Sequence, residues 1–218
     1  ILIIGYGDIG NRLSKILKKQ SANIYAVSRH GSLDQNIIKI NWDWLSNSNL
    51  DLPKITFDSV IIIPKPSNLD ENGYRDGFIS SLENITNSLQ NVDIKSVIAI
   101  SSTRVYGDHQ LGYIDEATLT EPSDFRGNLI KEYELTLNEF FPVYLNILRF
   151  SGLYIESSKH SSHNKLNRNT AAKIISFAIN NLSQNKENNI YNCSEDCEIL
   201  ASVKSVSNKK LKAAGFIF

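Results

Sequence analysis

Gly5-Tyr6-Gly7-Asp8-Ile9-Gly10 stands between the apolar run Ile1 to Ile4 and the segment Asn11 to Gln20. In that segment Leu13, Ile16 and Leu17 share one helical face, while Arg12, Lys15, Lys18 and Lys19 lie elsewhere. An apolar run without alternation suits a strand buried on both faces of a parallel sheet, and an apolar stripe suits a surface helix. Gly5 permits a tight turn, Gly7 lets a pyrophosphate approach the backbone, and Gly10 lets the helix pack on the strand. Free amides at the helix N-terminus then face the anion. With Asn23 to Arg29 as the next strand, the segment makes a complete βαβ unit.

The alternation continues along the chain. Ile37 to Ile40, Ser59 to Ile63, Ser96 to Ser101 and Tyr144 to Arg149 read as strands, and Gly73 to Gln90 and Arg126 to Phe141 read as helices. The expected fold class is α/β, a doubly wound parallel sheet of Rossmann type. Ile155 to Arg168 is polar and without period, and Thr170 to Leu182 resumes an apolar helical pattern. We therefore expect a nucleotide-binding domain over 1–154 and a small C-terminal substrate lobe over 155–218, packed on it and not folding independently.

Composition removes several function classes. With 23 Lys+Arg against 23 Asp+Glu, no net charge draws the chain of 218 residues to nucleic acid or an anionic membrane. Cys193 and Cys197 lack the second Cys/His pair of a zinc site and are expected as reduced thiols. The longest apolar run, Val60 to Pro64, is too short to span a bilayer, and no charged-then-apolar leader precedes the first strand, so a cytoplasmic location is expected. The chain holds no Met, so it is expected to have lost its start.

A carboxylate about 20 residues beyond the glycine turn holds the ribose hydroxyls of NAD, whereas this position reads Ser28-Arg29-His30. A guanidinium pairs with a 2′-phosphate and a serine hydroxyl donates to it, so NADP is expected over NAD. The other reading of Arg29 is a solvated loop residue. Asp43 either accepts from an adenine amino group or belongs to a surface turn.

The stretch Ser101-Ser102-Thr103-Arg104-Val105-Tyr106-Gly107-Asp108 resembles the "SSxxVYGD" signature of the extended short-chain dehydrogenase/reductase superfamily, the epimerase/dehydratase group. Leu148-Arg149-Phe150-Ser151-Gly152-Leu153-Tyr154 is similar to that family's strand end beside the nicotinamide, and Asn208 to Phe216 is similar to its terminal "N-x-K-L-K-x-x-G-F/W". The resemblance implies a nicotinamide cofactor held by Gly5, Tyr6, Gly7, Asp8, Ile9, Gly10, Ser28, Arg29, Asp43, Ile63, Ser101 and Ser151. It also implies a serine at Ser102 working with a Tyr-x-x-x-Lys pair on the following helix, where the Lys lowers the pKa of the Tyr.

That pair is missing. Aligning Pro122 and Glu134 with the helix's usual flanks puts Arg126 at the Tyr position and Ile130 at the Lys position, and no Tyr in the chain is followed by Lys at the fourth position. Lys131 is one residue off, a rotation of about 100° on a helix. The chain thus resembles the atypical bacterial branch, often labelled nucleoside-diphosphate-sugar epimerase. Tyr106, His109 and Tyr154 are substitutes for the missing phenol, or else Tyr106 and Tyr154 are packing aromatics. Arg126, His160 and His163 are the substrate-contact candidates. No metal is expected, and Arg126 binds anions but cannot serve as a general acid near neutral pH.

Two functions follow as expectations. One is an NADP-dependent oxidoreductase or epimerase-like enzyme with a non-standard site built on Ser102 and a small, nucleotide-sugar-like substrate. The other is a catalytically silent NADP-binding regulatory or scaffold protein. Related proteins pair through the helices that correspond here to Gly73 to Gln90 and Arg126 to Phe141, so a homodimer is expected; Ile79, Leu82 and Ile85 serve either that interface or the core.

Overall fold

The computed structural model describes residues 1–20, 22–29, 36–46, 48–156, 163–184 and 186–218. The first unit runs as the sequence implies. Strand β1 (Leu2–Ile4) is fully buried, and helix α1 (Asp8–Lys19) buries Ile9, Leu13 and Leu17 while Lys18 and Lys19 lie in its last turn, where cations complement the helix dipole. Ile16 remains half-buried. Strands β2 (Ile24–Ser28), β3 (Ile37–Asn41) and β4 (Val60–Ile62) follow.

The helix expected over Gly73 to Gln90 is divided. Helix α2 (Glu71–Arg75), capped by Asp70, passes through a π turn at Asp76–Ser80 into α3 (Ser81–Leu89). A β-carbon at Gly73 would stand 2.4 Å from the Asn68 backbone, and one at Gly77 would stand 2.3 Å from the Lys65 carbonyl oxygen. The widened turn keeps Gly77 against the loop that follows β4 while Leu82 and Ile85 stay in the core, 0% and 1% exposed. Their period therefore serves the core.

Strand β5 (Val97–Ser102) runs into a 3-10 turn at Thr103–Tyr106, then β6 (Gly112–Ile114) and α4 (Phe125–Phe140), whose N-cap Asp124 accepts from the Gly127 amide. Strand β7 (Leu145–Phe150) is buried throughout, and β8 (Gly152–Tyr154), β9 (Lys165–Asn167) and α5 (Arg168–Asn181) follow. The chain ends with β10 (Asn189–Cys193), β11 (Lys204–Val206) and α6 (Lys209–Ala213).

Seven strands form one parallel sheet in the order β10-β7-β5-β4-β1-β2-β3. Alternate side chains enter opposite layers: Leu2, Ile4, Val60 and Ile62 join one core with α3 and α4, and Ile3, Ile61 and Ile98 join the other with α1 and α5. This is a doubly wound Rossmann-type fold. Beyond Tyr154 the chain divides its work, because β10 and α5 belong to the main sheet and its helical layer. The parallel pairs β8-β9 and β6-β11 lie outside the main sheet. Strand order reverses between β1 and β4, which opens a crevice beyond their carboxyl ends.

Candidate functional site

The glycine turn sits at that crevice. Gly5 has φ +89°, and a β-carbon there would lie 2.2 Å from the Ile63 carbonyl oxygen, so both the turn and the approach of β1 to β4 require glycine. Gly7 faces open space, with no heavy atom within 4 Å of a built β-carbon, and no side chain caps the helix it starts. A β-carbon at Gly10 would stand 3.2 Å from the Tyr6 ring and 3.5 Å from Ile3, so the helix packs closely there. An uncapped helix N-terminus behind a glycine that leaves its approach clear fits a diphosphate.

Side chains around the turn are committed in different ways. The Tyr6 hydroxyl lies 2.7 Å from Ser14 Oγ, and Ile9 is part of the core. Asp8 pairs with Arg12 at 3.1 Å and Arg168 at 3.2 Å. Its partial burial works against ionisation, but the two guanidiniums hold its carboxyl below the usual range.

A pocket of about 200 Å3 extends from the turn to the ends of β2 and β4, with Ser28, Arg29 and Ile63 in its lining together with Trp42 and Trp44. Arg29 Nη1 lies 3.8 Å from Asp43 Oδ2, and Asp43 Oδ1 accepts from the Leu45 amide. His30 lies outside the described residues.

A second cleft, of about 610 Å3, opens beyond the ends of β5 and β7. Ser101, Ser102, Thr103 and Ser151 form its floor, Tyr74, Phe78 and Ile130 contribute an apolar wall, and His163 and Lys204 come from the C-terminal segment. Ser102 Oγ accepts from the Arg104 amide at 3.2 Å. Ser101 looks inward instead, donating to Glu134 Oε1 at 2.5 Å. Glu134 receives two bonds from Arg149, at 2.9 and 2.6 Å, and both residues are buried. Arg149 also donates to the Tyr106 hydroxyl at 2.8 Å, which in turn donates to Asn192 Oδ1 at 2.9 Å.

Tyr106 is 0% exposed, and burial pushes its phenol up despite Arg149 beside it. The structure therefore does not bring Tyr106 to Ser102: its hydroxyl belongs to a sealed polar chain beneath the floor. Tyr154 is turned away too, donating to both Glu195 carboxylate oxygens at 2.9 and 3.0 Å. His109 is exposed, with its ring nitrogens 3.2 Å from Ser123 Oγ and 3.3 Å from Glu121 Oε2.

The apolar wall holds the position that a Lys would need. Ile130 is 4% exposed and faces the cleft, while Lys131 Nζ donates to the Thr120 carbonyl at 2.8 Å, as the one-residue rotation implies. Arg126 lies over the rings of Phe125 and Tyr74, at 5.5 and 5.7 Å, and is not among the residues lining the cleft. His163 lines the cleft with Nε2 3.1 Å from Ser205 Oγ; His160 lies outside the described residues. Both cysteines are unpaired, and among the described residues no three His, Cys, Asp or Glu side chains converge in a metal-holding group. No described helix is long and apolar enough to cross a membrane.

Sequence reasoning missed Tyr74, Lys204 and both tryptophans. The tryptophans flank Asp43 and had a local signal. Lys204 had none: it reaches the cleft from about a hundred residues beyond Ser102, its Nζ held by the Gly107 carbonyl at 2.7 Å and Asp108 at 2.9 Å.

No known family model matches the sequence, and no curated protein matches it either. Solved structures do match. A putative NAD-dependent epimerase/dehydratase from Methylobacillus flagellatus has a TM-score of 0.76 at 19% identity, covering 100% of this chain and 92% of that one. The UDP-glucuronic acid 4-epimerase of Bacillus cereus, in complex with NAD, has a TM-score of 0.78 at 15% identity over 98% of this chain and 89% of that one. MoeE5, in complex with UDP-glucuronic acid and NAD, has a TM-score of 0.77 at 14% identity over 98% and 91%.

These structures correct the cofactor expectation. NAD, not NADP, is what the fold holds in the two complexes, and the guanidinium that suggested a 2′-phosphate is shared here with the Asp43 carboxylate. A carboxylate beside Arg29 offsets its charge and repels a phosphate, a juxtaposition that the spacing of the two residues did not reveal.

Proposed function

We propose that this chain, which has the fold of the NAD-dependent epimerases and dehydratases, binds NAD along the carboxyl ends of its strands and uses it on a polar substrate in the cleft over Ser102. The observation that carries the reading is Gly5: its positive φ and its contact with β4 leave the approach to Gly7 and to the α1 N-terminus clear. Gly5, Gly7 and Gly10 hold the diphosphate side, Ser28, Arg29, Asp43 and Ile63 line or border the adenosine side, and Ser151 lies at the nicotinamide side. Bound NAD supplies a hydride acceptor, or as NADH a donor.

The protein's own groups then have limited tasks. Ser102 presents a hydroxyl to the substrate oxygen at the reacting carbon, because Ser101 is spent on Glu134. The Tyr74, Phe78 and Ile130 wall excludes water, and His163 and Lys204 face the substrate from the C-terminal segment. A small substrate lobe built on the β8-β9 and β6-β11 pairs, a homodimer and a cytoplasmic location belong to the same reading, the last supported by two unpaired thiols.

A second reading has its own support. Ile130 in the cleft wall and Tyr106 sealed below it remove the proton-transfer pair, which favours a catalytically silent NAD-binding protein. Calorimetric titration with NAD and NADH tests what both readings share. Binding of neither sinks both. A change in nicotinamide absorbance, or a new product seen by chromatography, with any nucleotide sugar or small hydroxy compound then selects the enzyme, in which Ser102→Ala keeps NAD affinity within about twofold and lowers turnover about a hundredfold. Absence of both an absorbance change and a new product across such a panel, with NAD bound, selects the silent protein.

A further inference from the structure

Both tryptophans of the chain, Trp42 and Trp44, line the 200 Å3 pocket that contains the glycine turn. They are not equivalent. Trp42 is 7% exposed, belongs to the core cluster, and spends its indole N–H on the Ser48 carbonyl at 2.8 Å. Trp44 is half-buried, packed against the same cluster on one side and open to the pocket on the other.

The segment that carries Trp44 is held from several directions. Its carbonyl accepts from Asn84 on α3 at 2.6 Å, Asp43 Oδ1 accepts from the Leu45 amide at 3.0 Å, and Ser46 Oγ donates to the Asp43 carbonyl at 2.6 Å. Its ring carbon lies 3.1 Å from the position a Gly5 β-carbon would take. A large aromatic ring is thereby carried into the glycine-turn pocket on a braced segment, with a carboxylate acceptor, Asp43, next to it in the chain. An indole face beside an acceptor suits a flat heteroaromatic base that carries an amino group.

We propose that Trp44 is the stacking surface for the adenine base of the dinucleotide. The inference rests on the NAD-binding reading and deepens it. Pre-fixing the ring lowers the ordering cost of binding, and stacking on an aromatic ring is strong enough to be read as an affinity change of about tenfold or more. Only ligands that carry the adenosine half depend on the ring, because the nicotinamide half of the cofactor lies at the other cleft.

The test uses the whole chain and three ligands, NAD, ADP-ribose and nicotinamide mononucleotide, titrated by calorimetry into wild type, Trp44→Leu and Trp44→Phe. Thermal melts identify any variant that has failed to fold. The expected result is NAD and ADP-ribose affinity about tenfold weaker in Trp44→Leu, largely restored in Trp44→Phe, with mononucleotide affinity equal in all three. Equal NAD affinity in wild type and Trp44→Leu overturns the inference and leaves the cofactor reading standing. Equal weakening of all three ligands also overturns it, because the ring then only shapes the turn. Absence of NAD binding in wild type overturns the cofactor reading itself.

A fluorescence measurement keeps the question open to decision if Trp44→Leu does not fold. In Trp42→Phe the sole indole is Trp44, and ADP-ribose is expected to quench its emission saturably. Unchanged emission at concentrations that saturate binding by calorimetry overturns the proposal.

Discussion

The glycine-turn pocket and the cleft over Ser102 lie at the ends of the same sheet but are specified in different ways. The first is built mostly from backbone constraints: Gly5 cannot carry a side chain because the Ile63 carbonyl is in the way, and Gly7 carries none so that its approach stays open. The second is built from side chains whose roles are set by partners far away in sequence. Ser101 and Ser102 are neighbours, yet one hydroxyl is fixed to Glu134 on α4 and the other borders the cleft. A site defined by backbone geometry is robust to loss of particular side chains, whereas a site defined by side chains loses its chemistry when one position changes.

The largest expected effect lies under the cleft. Glu134→Ala leaves Arg149 charged and buried without its carboxylate, and urea denaturation should show a loss of about 3 to 5 kcal/mol. A loss below about 1 kcal/mol would mean that the polar chain is not what braces this half. On the other half, Gly5→Ala combines a strained φ with a clash at 2.2 Å and should cost about 2 to 3 kcal/mol and abolish NAD binding. Gly7→Ala meets nothing within 4 Å. It should leave the melting temperature nearly unchanged while weakening NAD, which separates the two glycines by measurement.

Smaller effects sharpen the comparison. Wild type is expected to bind NAD more tightly than NADP, and Asp43→Asn should narrow that gap severalfold in paired titrations, because it removes the carboxylate that shares Arg29. A preference unmoved by Asp43→Asn would separate the pair from cofactor choice. The smallest effect concerns Asp108, whose carboxyl the hydrogen bond and charge of Lys204 hold below its ordinary value of 3.8. A folded pKa below the unfolded one gives stability that is fully present above the unfolded value and lost as pH falls through the folded one. Asp108 is largely exposed, so the contribution is under about 1 kcal/mol. Lys204→Met should therefore lower stability by that small amount at neutral pH and flatten the acid side of the profile below about pH 4, where wild type loses the same contribution.

Much of the fold was legible in the residues. Runs such as Ile1 to Ile4 and Val60 to Ile63 suit strands buried on both faces, and the Leu13 and Leu17 stripe suits a helix side facing a core. The departure of α4 from a Tyr-x-x-x-Lys helix was also legible, and so was the outward turn of Lys131, because helical rotation is a local property. The Asp76–Ser80 π turn was not, since it answers to the loop backbone at Lys65 and Asn68. Nor was the burial of Tyr106, whose motif position suggests a site residue but whose hydroxyl finds Arg149 and Asn192.

By itself the sequence determined the alternating α/β order, the glycine turn and the missing acid–base pair, because each is written in contiguous residues whose backbone preferences and periodicity act locally. Tertiary structure alone decided that Arg29 shares its charge with Asp43, that Trp44 faces the turn, and that β10 completes the sheet. Those outcomes depend on which atoms meet after distant segments pack, and the charge, burial and reach of a side chain are fixed only at that stage.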